Sequence, residues 1–146
     1  VGRVTYYIEV AAAPGALGSN LNFQLHFAPA AALGESQYEA DLAHLTTLGL
    51  WEDSGTLLTS SAPRASAGLN FEGRQIRLAY SRLPLGLGKL RVKVDGVTLT
   101  TLNQSSSLVQ EDGLVWTSKL LKAGAHTLTL ESVSGEVNLD WIEVLP

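Results

Sequence analysis

Lys89 to Val94 and Val97 to Leu102 are two strand-like runs separated only by Asp95 and Gly96. Two residues leave room for nothing but a tight turn, and Asp-Gly accepts the left-handed backbone that such a turn demands. The pair therefore reads as an antiparallel hairpin, and the rest of the chain is written in the same grammar. Leu45 to Trp51, Ala67 to Phe71, Gln75 to Tyr80 and Leu114 to Leu121 are further short runs rich in Leu, Val, Ile, Thr and aromatic residues. Polar or glycine-bearing stretches such as Glu52 to Arg64, Ser81 to Gly88 and Asn103 to Ser107 lie between them. Leu120 to Leu130 and Val137 to Val144, joined by Glu131 to Glu136 with Gly135 in the turn, read as a closing hairpin. Many short strands with turns between them predict an all-β antiparallel β-sandwich. Only Glu39 to Leu48 offers helix-forming residue types, and its length and paired threonines argue against one.

The first 34 residues stand somewhat apart. Val4 to Val10 is β-branched and aromatic, and Leu21 to Phe27 alternates apolar Leu21, Phe23, Leu25 and Phe27 with polar Asn22, Gln24 and His26. Strict alternation places one face in a core. Two strands are rarely stable alone, so residues 1–34 are expected either as extra strands on the main sandwich or as the tail of a preceding domain, with residues 35–146 as the sandwich itself. Val4 to Val10 resembles the last strands of the pre-peptidase C-terminal type of β-sandwich.

Charge and composition narrow the partners. Charged residues make up 16 % and the net charge is −4, with the ten basic residues scattered between Arg3 and Lys122. No basic stripe exists to follow a phosphate backbone, so nucleic acid is not an expected partner, and no apolar run of membrane-spanning length occurs. Cysteine is absent, which excludes disulfides, thiol catalysis and cysteine-ligated zinc. Methionine is absent even at position 1, so the chain is expected to begin inside a longer protein or after processing.

Several landmarks recur in a fixed order from Tyr38 to Val144. They are Trp51, Ser66-Ala67-Gly68, Phe71 to Leu78 (FEGRQIRL), Gly88 to Gly96 (GKLRVKVDG), Leu120 to Leu130 (LLKAGAHTLTL) and Asp140 to Val144. In that order the chain resembles the galactose-binding-like jelly-roll modules, carbohydrate-binding-module-like accessory domains of secreted bacterial enzymes and surface proteins. The resemblance implies a non-catalytic module, extracellular or at the cell surface, whose ligand is a glycan. The alternative is a spacer or protein-interaction module that packs against neighbouring domains.

The resemblance also implies a structural calcium ion. Glu39-Ala40-Asp41 stands where related modules carry an acidic lead-in, and Asp140 stands where they carry the aspartate of the last strand. Carboxylates at i and i+2 of an extended segment point to one side, and a third from the closing strand would complete an oxygen site. Asp41 shortens the reach where those modules often carry Glu.

Sugar binding needs a ring platform with polar groups for hydroxyls. Trp116, after Glu111-Asp112-Gly113, is the least core-like tryptophan, and Tyr80 stands at a strand end with Arg82 beside it. These three are the expected ligand contacts, while Trp51 and Trp141 are expected in the core. For catalysis the chain offers no G-x-S-x-G elbow, no H-E-x-x-H and no phosphate loop. His26, His44 and His126 show no metal-ligand spacing, so no enzyme activity is expected.

Overall fold

The computed structural model describes residues 31–82, 88–107 and 110–146. The expected strands at Val4 to Val10 and Leu21 to Phe27 lie outside those residues. Within them the elements in chain order are β1 (Ser36–Glu39), β2 (Thr46–Leu48), β3 (Glu52–Asp53), β4 (Leu58–Ser60), β5 (Ser66–Gly73) and β6 (Gln75–Arg82). β7 (Lys89–Val94), β8 (Val97–Asn103), β9 (Gln110–Thr117), β10 (Gly124–Ser134), β11 (Val137–Leu139) and β12 (Trp141–Leu145) follow. They form a four-stranded sheet in the order β1-β12-β6-β9, a five-stranded sheet in the order β2-β5-β10-β7-β8, and a small sheet β11-β4-β3. The strand pairings within these sheets are antiparallel.

Period-two alternation builds the interior. Ala67, Leu69 and Phe71 of β5, Leu128 and Leu130 of β10 and Val92 and Val94 of β7 point inward from the larger sheet. Ile76, Leu78 and Tyr80 of β6 and Ile142 and Val144 of β12 meet them from the smaller one. Trp51 joins this core, and its Nε1 donates to the Ser66 carbonyl at 3.1 Å.

The Asp95-Gly96 hairpin forms as the sequence demands, with Asp95 at φ +52° and Gly96 at φ +77°. Gly73 is required for a different reason. It lies where the chain crosses between sheets, and a Cβ there would sit 2.7 Å from both the Leu145 carbonyl and Val144 Cγ1.

One expectation is corrected. The closing segments are not partners of one another: β10 pairs with β5 and β7, while β11 pairs with β4 and β12 with β6 and β1. Consecutive strands here change sheet instead of turning back. Glu39 to Leu48 holds one turn only, because the Asp41 carboxylate caps the N–H groups of Ala43 and His44, and the β-branched Thr46 and Thr47 then pair with β5. Leu33, just before the main sandwich, forms a parallel bridge with Phe71.

One end of the sandwich is closed by a buried polar staple. Asn138 Oδ1 accepts the Ser81 N–H (2.8 Å) and Asn138 Nδ2 donates to the Ser81 carbonyl (3.2 Å). Gln104 returns the favour to Asn138, Nε2 donating to its carbonyl (2.7 Å) and Oε1 accepting its N–H (2.8 Å). Buried amides matched donor to acceptor in this way tie β6, β11 and the segment after β8 into one geometry.

Candidate functional site

On β12 the inward residues are Ile142 and Val144, so alternation turns Trp141 and Glu143 to the outer face of the four-stranded sheet. Trp141 is half-buried and lies opposite Glu39 of β1. Ala79 of β6 is 0 % exposed yet stands outside the core cluster, because it lies under this outer layer beside the strand crossing, where the Asp140 N–H donates to its carbonyl at 2.9 Å. Its register partner Val115 is 46 % exposed. The adjacent outward row reads Gln37, Glu143, Arg77 and Thr117 across four strands. Arg77 Nη1 donates to Glu143 Oε2 at 3.0 Å. Successive outward positions on a strand stand about 7 Å apart, so an indole, a carboxylate and a guanidinium–carboxylate pair share a surface of roughly one sugar ring's dimensions. Chemically, the ring face suits the C–H side of a sugar and the charged heads suit its hydroxyls.

Sequence reasoning passed over this face by assigning Trp141 to the core, whereas it is half-buried and outside the core cluster. The correction follows from the strand switch at Asp140. Val137 and Leu139 are buried with β11, and the alternation restarts in β12 with Ile142 inward. The signal was available in Ile142 and Val144, whose inward placement forces Trp141 outward.

The expected contacts sit elsewhere. Tyr80 is only 7 % exposed and belongs to the core, so it presents no platform; with Ile76 and Leu78 it continues the inward set of β6. Trp116 is opposite Leu78 on the edge strand β9, half-buried and packed on the core. Arg82 Nε donates to the Asn103 carbonyl at 2.9 Å, joining the end of β6 to the end of β8.

The expected calcium triad is not assembled. Asp41 Oδ1 already accepts the N–H groups of Ala43 (3.0 Å) and His44 (2.8 Å) and lies 2.7 Å from His44 Nδ1. Burial pushes its carboxyl up, but the His44 and Ala43 hydrogen bonds outweigh that and hold it below the usual carboxylate value. Asp140 meets this region through its backbone, its carbonyl accepting the Ala40 N–H at 2.9 Å. Glu39 and Asp41 instead line a cavity of about 160 Å³ with Asp53, whose two oxygens take the N–H groups of Gly55 and Leu42. Among the described residues no three ligating side chains are grouped to hold a metal. The Asp41 and Asp53 carboxylates are thus engaged in their local turns.

His126 is held on both ring nitrogens. Nδ1 lies 2.7 Å from Asp95 Oδ2, and Nε2 lies 2.8 Å from the Lys122 carbonyl. A histidine so engaged has no nitrogen left to activate a nucleophile.

The chain matches no family model and no curated relative. Among solved structures it is similar to a family two carbohydrate esterase from Cellvibrio japonicus, at 16 % identity and a TM-score of 0.60, covering 75 % of this chain and 32 % of the esterase. It is also similar to CsCBM6-3 from Clostridium stercorarium in complex with cellobiose (18 % identity, TM-score 0.58, 79 % of this chain and 97 % of that one). A third is the carbohydrate-binding module CBM36 in complex with calcium and xylotriose (18 % identity, TM-score 0.54, 74 % and 98 %). The chain thus spans about a third of the esterase and nearly the whole of the two modules. The chain therefore shares the β-sandwich fold of these carbohydrate-binding modules.

Proposed function

We propose that this domain is a non-catalytic, extracellular accessory module that binds carbohydrate on the outer face of the four-stranded sheet. The observation that carries the reading is the outward Trp141, flanked by Glu39, Val115 and the Arg77–Glu143 pair. Fold likeness adds an associational argument, since two solved neighbours of near-complete coverage hold cellobiose and xylotriose. One ring supplies one stacking position, so affinity for a short oligosaccharide is modest and rests on that contact. Trp116 and Arg82 are secondary candidates at the β6–β9 rim.

The test is a titration of xylan- and cellulose-derived oligosaccharides followed by tryptophan fluorescence, with Trp141→Ala and Trp116→Ala compared on a folded background. Saturable binding lost only in Trp141→Ala supports the sheet-face reading. Loss only in Trp116→Ala moves the site to the rim. No binding by the wild-type protein across the panel favours the spacer reading, for which the exposed Leu48 and Leu50 are the apolar surface to probe next. Chelation with EDTA is expected to leave binding and thermal midpoint unchanged, given how the turn carboxylates are occupied.

A further inference from the structure

His126 is the third residue of β10, and its ring lies 5.3 Å from that of Phe71, its register partner on β5. The side chain is 10 % exposed. What faces its two nitrogens is unusual: a carboxylate on one side and a main-chain carbonyl on the other. Both are acceptors without a proton to give. A neutral imidazole carries one donor and one acceptor and can satisfy only one of them; imidazolium, with two donors, satisfies both.

The charged groups around the ring agree. From the β7–β8 turn the facing group is Asp95, whose other oxygen accepts the Thr127 N–H at 3.0 Å. From β5 it is apolar Phe71, while the nearest charge on that strand, Glu72, is paired with Ala125, one position off in the alternation. From the Ser118 to Ala123 connection it is the Lys122 carbonyl, the lysine itself being exposed.

We propose that His126 is a pH-sensitive clasp, protonated when closed, that pins the connection between β9 and β10 to the β7–β8 turn. On deprotonation the remaining N–H stays with Asp95, because a charged acceptor holds a proton donor more strongly than a carbonyl does. The bare Nε2 lone pair then faces the Lys122 oxygen, and the connection is pushed away at that point. Leu121 N–H to the Arg74 carbonyl (2.7 Å) and Ser118 N–H to the Ile76 carbonyl (2.9 Å) hold the remainder of the segment, so release is local to residues 122–124. Ala123 and Gly124 there line a cavity of about 490 Å³ with Glu35, Glu72, Arg74 and Pro146. Two residues of the clasped connection thus belong to the wall of that cavity, and the clasp is independent of the glycan reading.

The hydrogen bond to Asp95, followed by that to Lys122, raises the His126 pKa against a smaller opposing effect of burial. A raised folded value means that the stabilisation is complete below about pH 6.5, the ordinary histidine value, and is lost as pH rises through the folded value.

The experiment is long-range proton–nitrogen NMR of the imidazoles in the full chain from about pH 5 to about pH 9, a range that brackets ordinary histidine titration. It is paired with hydrogen exchange at residues 122–124, corrected for intrinsic rates. Expected are two protonated ring nitrogens on His126 at the acid end of the range, titration above about 6.5, and a local rise in exchange through that titration. His126→Gln should abolish the pH dependence of that exchange. If His126→Gln does not fold, Asp95→Asn should lower the His126 pKa by removing the anionic acceptor. A His126 that titrates at or below about 6.5, or exchange at 122–124 that stays indifferent to its titration, overturns the proposal.

Discussion

On the outer face of the four-stranded sheet, Trp141 stands across from Glu39, and a buried Ala79 lies in the sheet beside them. On the outer face of the five-stranded sheet the central positions are small instead. Gly68 lies between Thr46 and Thr129, and Ser66 between Leu48 and Glu131. The result there is an open trough of about 500 Å³, rich in hydroxyls and without a ring. One face has a trough and no platform, and the other has a platform. For a flat ligand that presents C–H groups on one side and hydroxyls at its rim, the aromatic face is the better match. Concavity and ring chemistry rank the two faces in opposite order. Charge differs as well. Arg77 and Glu143 neutralise each other beside Trp141, and among the described residues Glu39 has no ion-pair partner, a charge that would favour an uncharged sugar over a uronic acid if the proposed face binds one.

If the faces have separate duties, substitutions on them should separate stability from binding. The largest effect is expected from Gly68→Val. A Cβ there would lie 2.8 Å from the Leu128 carbonyl, and overpacking of this kind costs about 1–3 kcal/mol. Denaturant unfolding should show that loss while the affinity of the folded fraction for oligosaccharide is retained. Trp141→Ala should do the reverse, weakening binding by about 2 kcal/mol, as for an aromatic hot spot, with a nearly unchanged thermal midpoint. Isothermal titration beside thermal melts distinguishes the two outcomes, and a Trp141→Ala protein that binds normally breaks the comparison. Arg77→Ala comes next, at about 1 kcal/mol of binding for a lost hydrogen-bond donor, and its effect on stability should be close to nil because exposed ion pairs contribute little.

The smallest effect belongs to Glu131 on the trough side, where Oε2 receives Lys93 Nζ at 2.8 Å and Arg91 Nη1 at 3.1 Å. The Lys93 hydrogen bond is the main influence holding this carboxyl below its ordinary value. Its stabilising share is therefore present above about pH 4.3 and lost as pH falls through the lower folded value. Partial exposure limits it to a few tenths of a kcal/mol. Lys93→Ala should remove that part of the acid sensitivity in melts recorded across the carboxylate range.

Much of the fold was legible because alternation and turn chemistry are local properties. Asp95-Gly96 announces its own hairpin, and Ile76, Leu78, Val92, Val94, Leu128 and Leu130 announce their face. What escaped depends on which sheet a strand enters. Val137 to Val144 looks continuous in sequence, yet Asp140 divides it between two sheets, and with that division Trp141 changes from core to surface. Tyr80 was misplaced by weighing its position near a strand end above the inward set it belongs to. The calcium reading turned on side-chain placement, which spacing does not give: the Asp41 carboxylate is engaged in its own turn, and Asp140 meets that turn through its carbonyl.

β12, near the end of the chain, is inserted between β1 and β6. The four-stranded sheet therefore cannot grow outward strand by strand as the polypeptide emerges. Until β12 arrives, β1 has no partner in that sheet and β6 lacks a neighbour on one side. Closure of so long a loop is an entropic toll that precedes its reward. The nascent sheet is thus expected to wait, with an edge uncovered, for the last of its own four strands to be synthesised.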